Sequence, residues 1–99
     1  GEEVNSVDDF KLLGNYPNPF NPSTTIVFNL NTNENVAIEI FNHLGEKVRE
    51  LSNTEFSAGE NKVSWNGLND ENKNVSSGIY LYKISTTQNT LYGKMILQK

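Results

Sequence analysis

His43 is the one histidine in the chain, and so the first candidate for acid–base chemistry. A nucleophile–histidine–carboxylate site needs an acid to orient the imidazole and a hydroxyl within its reach. The nearest acid in sequence is Glu46 and the nearest serine is Ser52, and His43 falls in the turn-forming stretch "FNHLG". It reads as a solvated turn histidine. Asn69–Asn74, "NDENKN", offers Asp70, Glu71 and side-chain amides to a cation. Calcium takes about six to eight oxygens from alternating positions, with a glycine at the sharp turn. The alternation fails at Lys73 and no glycine is present, so an asparagine-rich turn is the favoured reading. Trp65, Tyr16, Tyr80, Tyr82 and Tyr92 could stack against sugar rings, but Trp65 alternates in phase with Val63, which points it into a core. The glutamates are spread over several turns and strands, with no obvious pair for work on a glycoside. "NVS" at Asn74–Ser76 has the form of a glycosylation acceptor and is given no weight. The residues therefore assign no catalytic, cofactor-binding or metal-binding site, and the chain is expected not to be an enzyme.

Composition narrows the partners. A chain of 99 residues makes one domain with one modest core. It has no cysteine, which excludes disulfides, thiolate chemistry and cysteine zinc sites. The net charge is −4, and lysines and arginines are scattered without a basic stripe, so nucleic acid is not an expected partner. No apolar run approaches the ~20 residues of a membrane span, and membrane insertion is not expected. The acidic opening "GEEVNSVDDF" has no apolar leader core, and a start at Gly1 reads as an excised or processed fragment.

The elements that would position any site have period two. Residues 1–13, with Glu2, Glu3, Asp8 and Asp9, read as an acidic flexible linker, and residues 14–99 as the folded domain. "TTIVFNL", "VAIEIF", "EKVREL", "NKVSW", "GIYLYKIS" and "TLYGKMILQ" alternate apolar and polar residues and are rich in β-branched and aromatic types, which argues strands. Turn formers separate them: "NTNEN", "NHLGE", "SAGEN", "NGLNDENKN" and "TTQN". The fold class expected is all-β, an immunoglobulin-like antiparallel sandwich of about seven strands. "SGIYLY" sharpens it: Tyr80 fits the tyrosine corner of such sandwiches, Tyr82 and Ile84 then face inward, and Ile79 and Leu81 lie on the other face.

All three prolines fall in "YPNPFNP", Tyr16–Pro22. Pro17, Pro19 and Pro22 fix their own φ and push Tyr16, Asn18 and Asn21 towards extended conformations. The segment is expected to be a stiff, extended lead-in outside the middle of any sheet, with Phe20 as an anchor docking at reduced entropic cost. "PFNP" also matches a PxxP ligand, but without a flanking basic residue, and the structural reading is preferred.

In order, "LGNYPNPFNPSTTIVFNL", "VAIEIFNHLGEKVREL", "SAGENKVSWNGLNDENKNVSSGIYLYKI" and "KMILQK" resemble the type A C-terminal sorting domain of type IX secretion substrates, which is related to the immunoglobulin-like module of flagellar hook-capping proteins. The resemblance covers about Leu13 to Lys99. Asn66, Asn72 and Asn31 depart from the family pattern, all in loops. The resemblance implies a non-catalytic sorting and anchoring domain at the end of an exported cargo protein. Its implied partners are an outer-membrane secretion translocon, a surface sortase and the cargo domain upstream in the same polypeptide. The implied destination is the cell surface or the extracellular space, by way of the periplasm. Gly78 and Tyr80 match the family's "GxY" motif, and Lys94, Met95, Ile96, Leu97, Gln98 and Lys99 match its terminal signal. Pro17, Asn18, Pro19, Phe20, Pro22, Gly45 and Trp65 match its structural motifs. The physical rationale is an exposed terminal strand edge that a receptor reads by strand addition, with Lys94 and Lys99 adding charge. The alternative reading is a carbohydrate-binding or spacer module at the end of a secreted hydrolase.

Overall fold

The computed structural model describes residues 10–99. The alternating segments form seven strands: β1 (Phe10–Tyr16), β2 (Thr24–Leu30), β3 (Glu34–Asn42), β4 (Lys47–Phe56), β5 (Gly59–Trp65), β6 (Gly78–Ser85) and β7 (Thr90–Leu97). They pair antiparallel into two sheets, β1-β2-β5 and β4-β3-β6-β7, which enclose one core as a sandwich. This is the expected all-β immunoglobulin-like class, with β6 in the place of strand F.

Period two decides which side chains are buried, because successive side chains of a strand point to opposite faces. Ile26, Phe28 and Leu30 of β2 face Val36, Ile38 and Ile40 of β3 and Tyr80, Tyr82 and Ile84 of β6, all at most 6% exposed. Fully burying one aliphatic or aromatic side chain contributes about 1.5–3 kcal/mol, so these positions carry most of the fold. The outer face of β6 shows the converse, with Ile79 and Leu81 exposed as the alternation requires.

Two expectations need correction. Most of the linker assigned to 1–13 lies outside the described residues, but Phe10–Leu13 is not linker. It opens β1, where Phe10 pairs with Leu30 and Leu12 with Phe28. Phe10 and Leu12 pack against the core, so burial holds this stretch in the sheet. A bulge between Leu12 and Gly14 shifts the phase and obscures the alternation. Secondly, the proline segment bends instead of running extended. Its shape follows its bonds: Thr24 Oγ1 donates to the Pro17 carbonyl at 2.7 Å, while Asn18 and Phe20 bond to β7.

Candidate functional site

The residues matched to the terminal signal lie on β7 and just beyond it. Alternation divides them into two sets. Met95 and Leu97 point inward and are 0% and 1% exposed, while Lys94, Ile96, Gln98 and Lys99 are exposed. Met95 and Leu97 are therefore core residues that a partner of the folded domain does not touch. Lys99 is tied back to the body: its N–H donates to Ser77 Oγ at 3.1 Å and its ammonium to the Val75 carbonyl.

β7 ends its sheet, but the expected open edge is closed along its terminal half. The Phe20 N–H donates to the Ile96 carbonyl at 2.9 Å, and the Gln98 N–H donates to the Phe20 carbonyl at 2.9 Å. Asn18 reads the next positions with its side chain. Its Oδ1 accepts from the Ile96 N–H at 2.9 Å, and its Nδ2 donates to the Lys94 carbonyl at 3.3 Å. The lead-in thus occupies the backbone groups through which another chain would pair with Lys94–Gln98. The physical reason is that an edge strand with unpaired groups is a template for pairing, and covering it is one way to satisfy them.

The structural motif residues meet underneath this clasp. Phe20 is buried and lies 5.7 Å from the Trp65 ring, which meets Tyr80 edge-on at 5.4 Å. Trp65 Nε1 donates to the Leu68 carbonyl at 2.9 Å, satisfying its one polar atom. The Tyr80 hydroxyl donates to the Ser76 carbonyl at 2.6 Å, forming the expected tyrosine corner. Burial pushes the Tyr80 phenol above its ordinary pKa. Gly78 opens β6 opposite Leu97, so the "GxY" motif and the terminal strand are cross-strand neighbours. Gly45 is further off, in the β3–β4 turn, where its N–H donates to the Asn42 carbonyl at 3.0 Å with φ at +83°, a conformation costly for other residues.

A polar core escaped the sequence reading. Asn15 and Thr24 are buried, with Asn15 Nδ2 donating to Thr24 Oγ1 at 3.1 Å and the Tyr82 hydroxyl donating to Asn15 Oδ1 at 3.3 Å. Desolvation, then the neighbouring Tyr16, raises the Tyr82 pKa. Opposite Tyr82 on β7 is Gly93, where an added Cβ would come within 2.2 Å of the Tyr82 ring. A glycine inside a strand is the available sequence signal, since it marks close approach. Asn15 carried no signal, because no strand was read ahead of Thr24 and an asparagine just before the proline segment looks like a loop residue.

The candidates for chemistry are placed by the same geometry. His43 sits exposed in the β3–β4 turn. In the 69–74 loop, Asn69 Oδ1 accepts from the Glu71 and Lys73 N–H groups, both at 2.9 Å, and Asp70 Oδ1 accepts from the Glu50 N–H at 3.0 Å. Arg49 Nη1 donates to the Asn69 carbonyl at 2.8 Å, fastening the loop to β4. These oxygens hold the turn together, as the asparagine-rich reading expects. Among the described residues no group of three His, Asp or Glu side chains is arranged to hold a metal ion. Trp65, Tyr80 and Tyr82 are buried together, so they form no sugar platform; of the five rings considered, Tyr16 and Tyr92 are well exposed, at 62% and 65%. Among the described residues, no helix is long and apolar enough to cross a membrane.

Comparison with known proteins places this geometry. A family model described as "Secretion system C-terminal sorting domain" matches residues 15–98. A search of curated proteins returns no match. Among solved structures, the crystal structure of dimeric latent PorU from Porphyromonas gingivalis is similar with a TM-score of 0.66 and 19% identity, over 89% of this chain and 9% of that one. That likeness is one of fold, and this chain spans about a tenth of the PorU chain, 9% of it.

Proposed function

The chain belongs to the family of secretion-system C-terminal sorting domains, those of the type IX system, and from that premise we propose that it acts without catalysis as a folded handle for its cargo. A domain of this family directs export to the cell surface or the extracellular space. The finer reading is that an outer-membrane translocon and a surface sortase recognise the folded body, β1 included, with the polypeptide upstream of it as cargo. The observation that carries it is the clasp. The two ends of the family pattern, Asn18–Phe20 and Lys94–Gln98, are bonded to each other. The exposed set Lys94, Ile96, Gln98 and Lys99 is thereby held in one fixed arrangement on a rigid body, which is what a receptor needs to read it without paying to order it.

Non-catalysis is supported by the family match, which is to a sorting domain. The carbohydrate-binding alternative loses its basis, since Trp65 is 1% exposed. Deleting Lys94–Lys99 would test recognition poorly, because it also strips Met95 and Leu97 from the core. The sharper test changes only exposed side chains. A cargo fusion carrying Lys94→Glu and Ile96→Ser is expected to fold and to lose most of its surface delivery in a host with the secretion system. Delivery equal to the unaltered fusion would refute recognition through this set.

A further inference from the structure

Resting on the reading of this chain as a sorting domain, we propose that β7 carries a short strand-addition site at Thr90–Lys94, where an extended segment of the secretion machinery pairs with the folded domain. β7 ends its sheet, and in an antiparallel ladder the groups pointing out of the sheet fall on alternate residues. The clasp identifies which. The Lys94 carbonyl, both groups of Ile96 and the Gln98 N–H bond away from β6, to Asn18 and Phe20. By the same alternation, the N–H and carbonyl of Tyr92 and the N–H of Lys94 point out of the sheet. None of them has a partner among the described residues. The clasp bounds this stretch on one side, and the turn closed by the Thr86 N–H on the Asn89 carbonyl, at 2.9 Å, bounds it on the other.

The surroundings suit an added strand. A cleft of about 370 Å³ opens beside Lys94 between the two sheets, lined also by Tyr16 and Asn18. The side chains of Tyr92 and Ile96 stand on the same outer face as Ile79 and Leu81, so a strand added there would extend an apolar face already 38–65% exposed at these four residues. Lys47 and Lys83 are engaged by Glu39 at 3.2 and 3.8 Å, whereas Lys94 has no carboxylate partner among the described residues. An opposite charge across a strand pair is favourable. The geometry therefore fits an extended segment with apolar side chains and an Asp or Glu opposite Lys94. Backbone pairing supplies the affinity in this mode, and side chains supply the choice of partner.

The test separates backbone from ring. Tyr92→Pro removes an outward N–H while leaving the bonds to β6, which run through Leu91 and Gly93; Tyr92→Ala removes only the side chain. In a full-chain cargo fusion, Tyr92→Pro is expected to lower surface delivery by roughly tenfold or more, and Tyr92→Ala, which removes only side-chain contact, by a clearly smaller factor. Folding of both is checked by slow amide exchange at Tyr82 and Ile84. Normal delivery of a folded Tyr92→Pro fusion overturns the proposal, as does equal loss in both variants, which would mean that the ring is what is read. A dimer of the purified domain that Tyr92→Pro abolishes would assign the edge to a second copy instead, and overturn it too. The unaltered fusion tests the sorting role by itself, so these failures leave that role standing. In the free domain the Tyr92 and Lys94 amides should exchange fast and those of Ile96 and Gln98 slowly. Slow exchange at Tyr92 would overturn the open edge even if Tyr92→Pro failed to fold.

Discussion

Gly93 shows how much can hang on one missing side chain. The Tyr82 ring occupies the space where a Cβ would stand, 2.2 Å from the ring carbon Cζ and 2.4 Å from the hydroxyl oxygen. Gly93→Ala must therefore displace a buried ring whose hydroxyl holds Asn15, and overpacking of this kind typically costs about 1–3 kcal/mol. Chemical denaturation should show that loss, and Tyr82→Phe should recover only part of it, because the ring carbons Cζ and Cε1 still stand in the way when the hydroxyl is gone. The phenols make a second prediction. Burial raises the Tyr80 and Tyr82 pKa values in the folded state, so the folded chain keeps protons that the unfolded chain releases. Their contribution to stability is fully present below the ordinary tyrosine pKa of about 10 and is lost as pH rises from there through the raised folded values. Melting temperatures measured from neutral to strongly alkaline pH should fall above that point, and less steeply in Tyr82→Phe.

At the scale of elements, the clasp is the feature with the largest consequence for β7. Asn18 is the third residue of the proline segment, and its side chain makes two bonds to the β7 backbone. A single hydrogen bond nets about 0.5–1.5 kcal/mol, and an exposed one sits at the low end. Asn18→Ala should thus cost about 1 kcal/mol while speeding exchange at the Ile96 amide well beyond that at Met95, which bonds inward to β6. Equal exchange rates at Ile96 in both proteins would remove Asn18 from the account. Strands with clean alternation, such as β2, β3 and β6, were legible in the sequence, because period two and the burial of one face are the same fact. β1 was not. Leu12 and Leu13 are consecutive, the bulge before Gly14 breaks the phase, and the acidic residues ahead make the whole stretch look like tether. The clasp was invisible for a different reason: it joins residues 76 and 78 apart, and the groups it engages on β7 are backbone groups, which carry no signature in side-chain type.

For the whole molecule, the two sheets form a body that buries Phe20, Phe28, Trp65, Tyr80 and Tyr82 and leaves β7's outward side chains on display. The family resemblance was legible in the order of motifs, and the match over residues 15–98 bears it out. The division of the terminal signal into buried Met95 and Leu97 and exposed Lys94, Ile96 and Gln98 required β7 to be placed against β6. Sorting by a folded handle makes one demand above all others: the domain must suffice to export a passenger with no export signal of its own beyond the inner membrane. The most direct measurement fuses the full chain behind a leader and an inert fluorescent reporter. Reporter at the surface or in the medium is then compared between a host with an intact type IX system and the same host with its translocon disabled. The account predicts reporter outside the cell only in the first, with the periplasm filling in the second. Reporter retained in the periplasm of the intact host, or released equally by both, would contradict it.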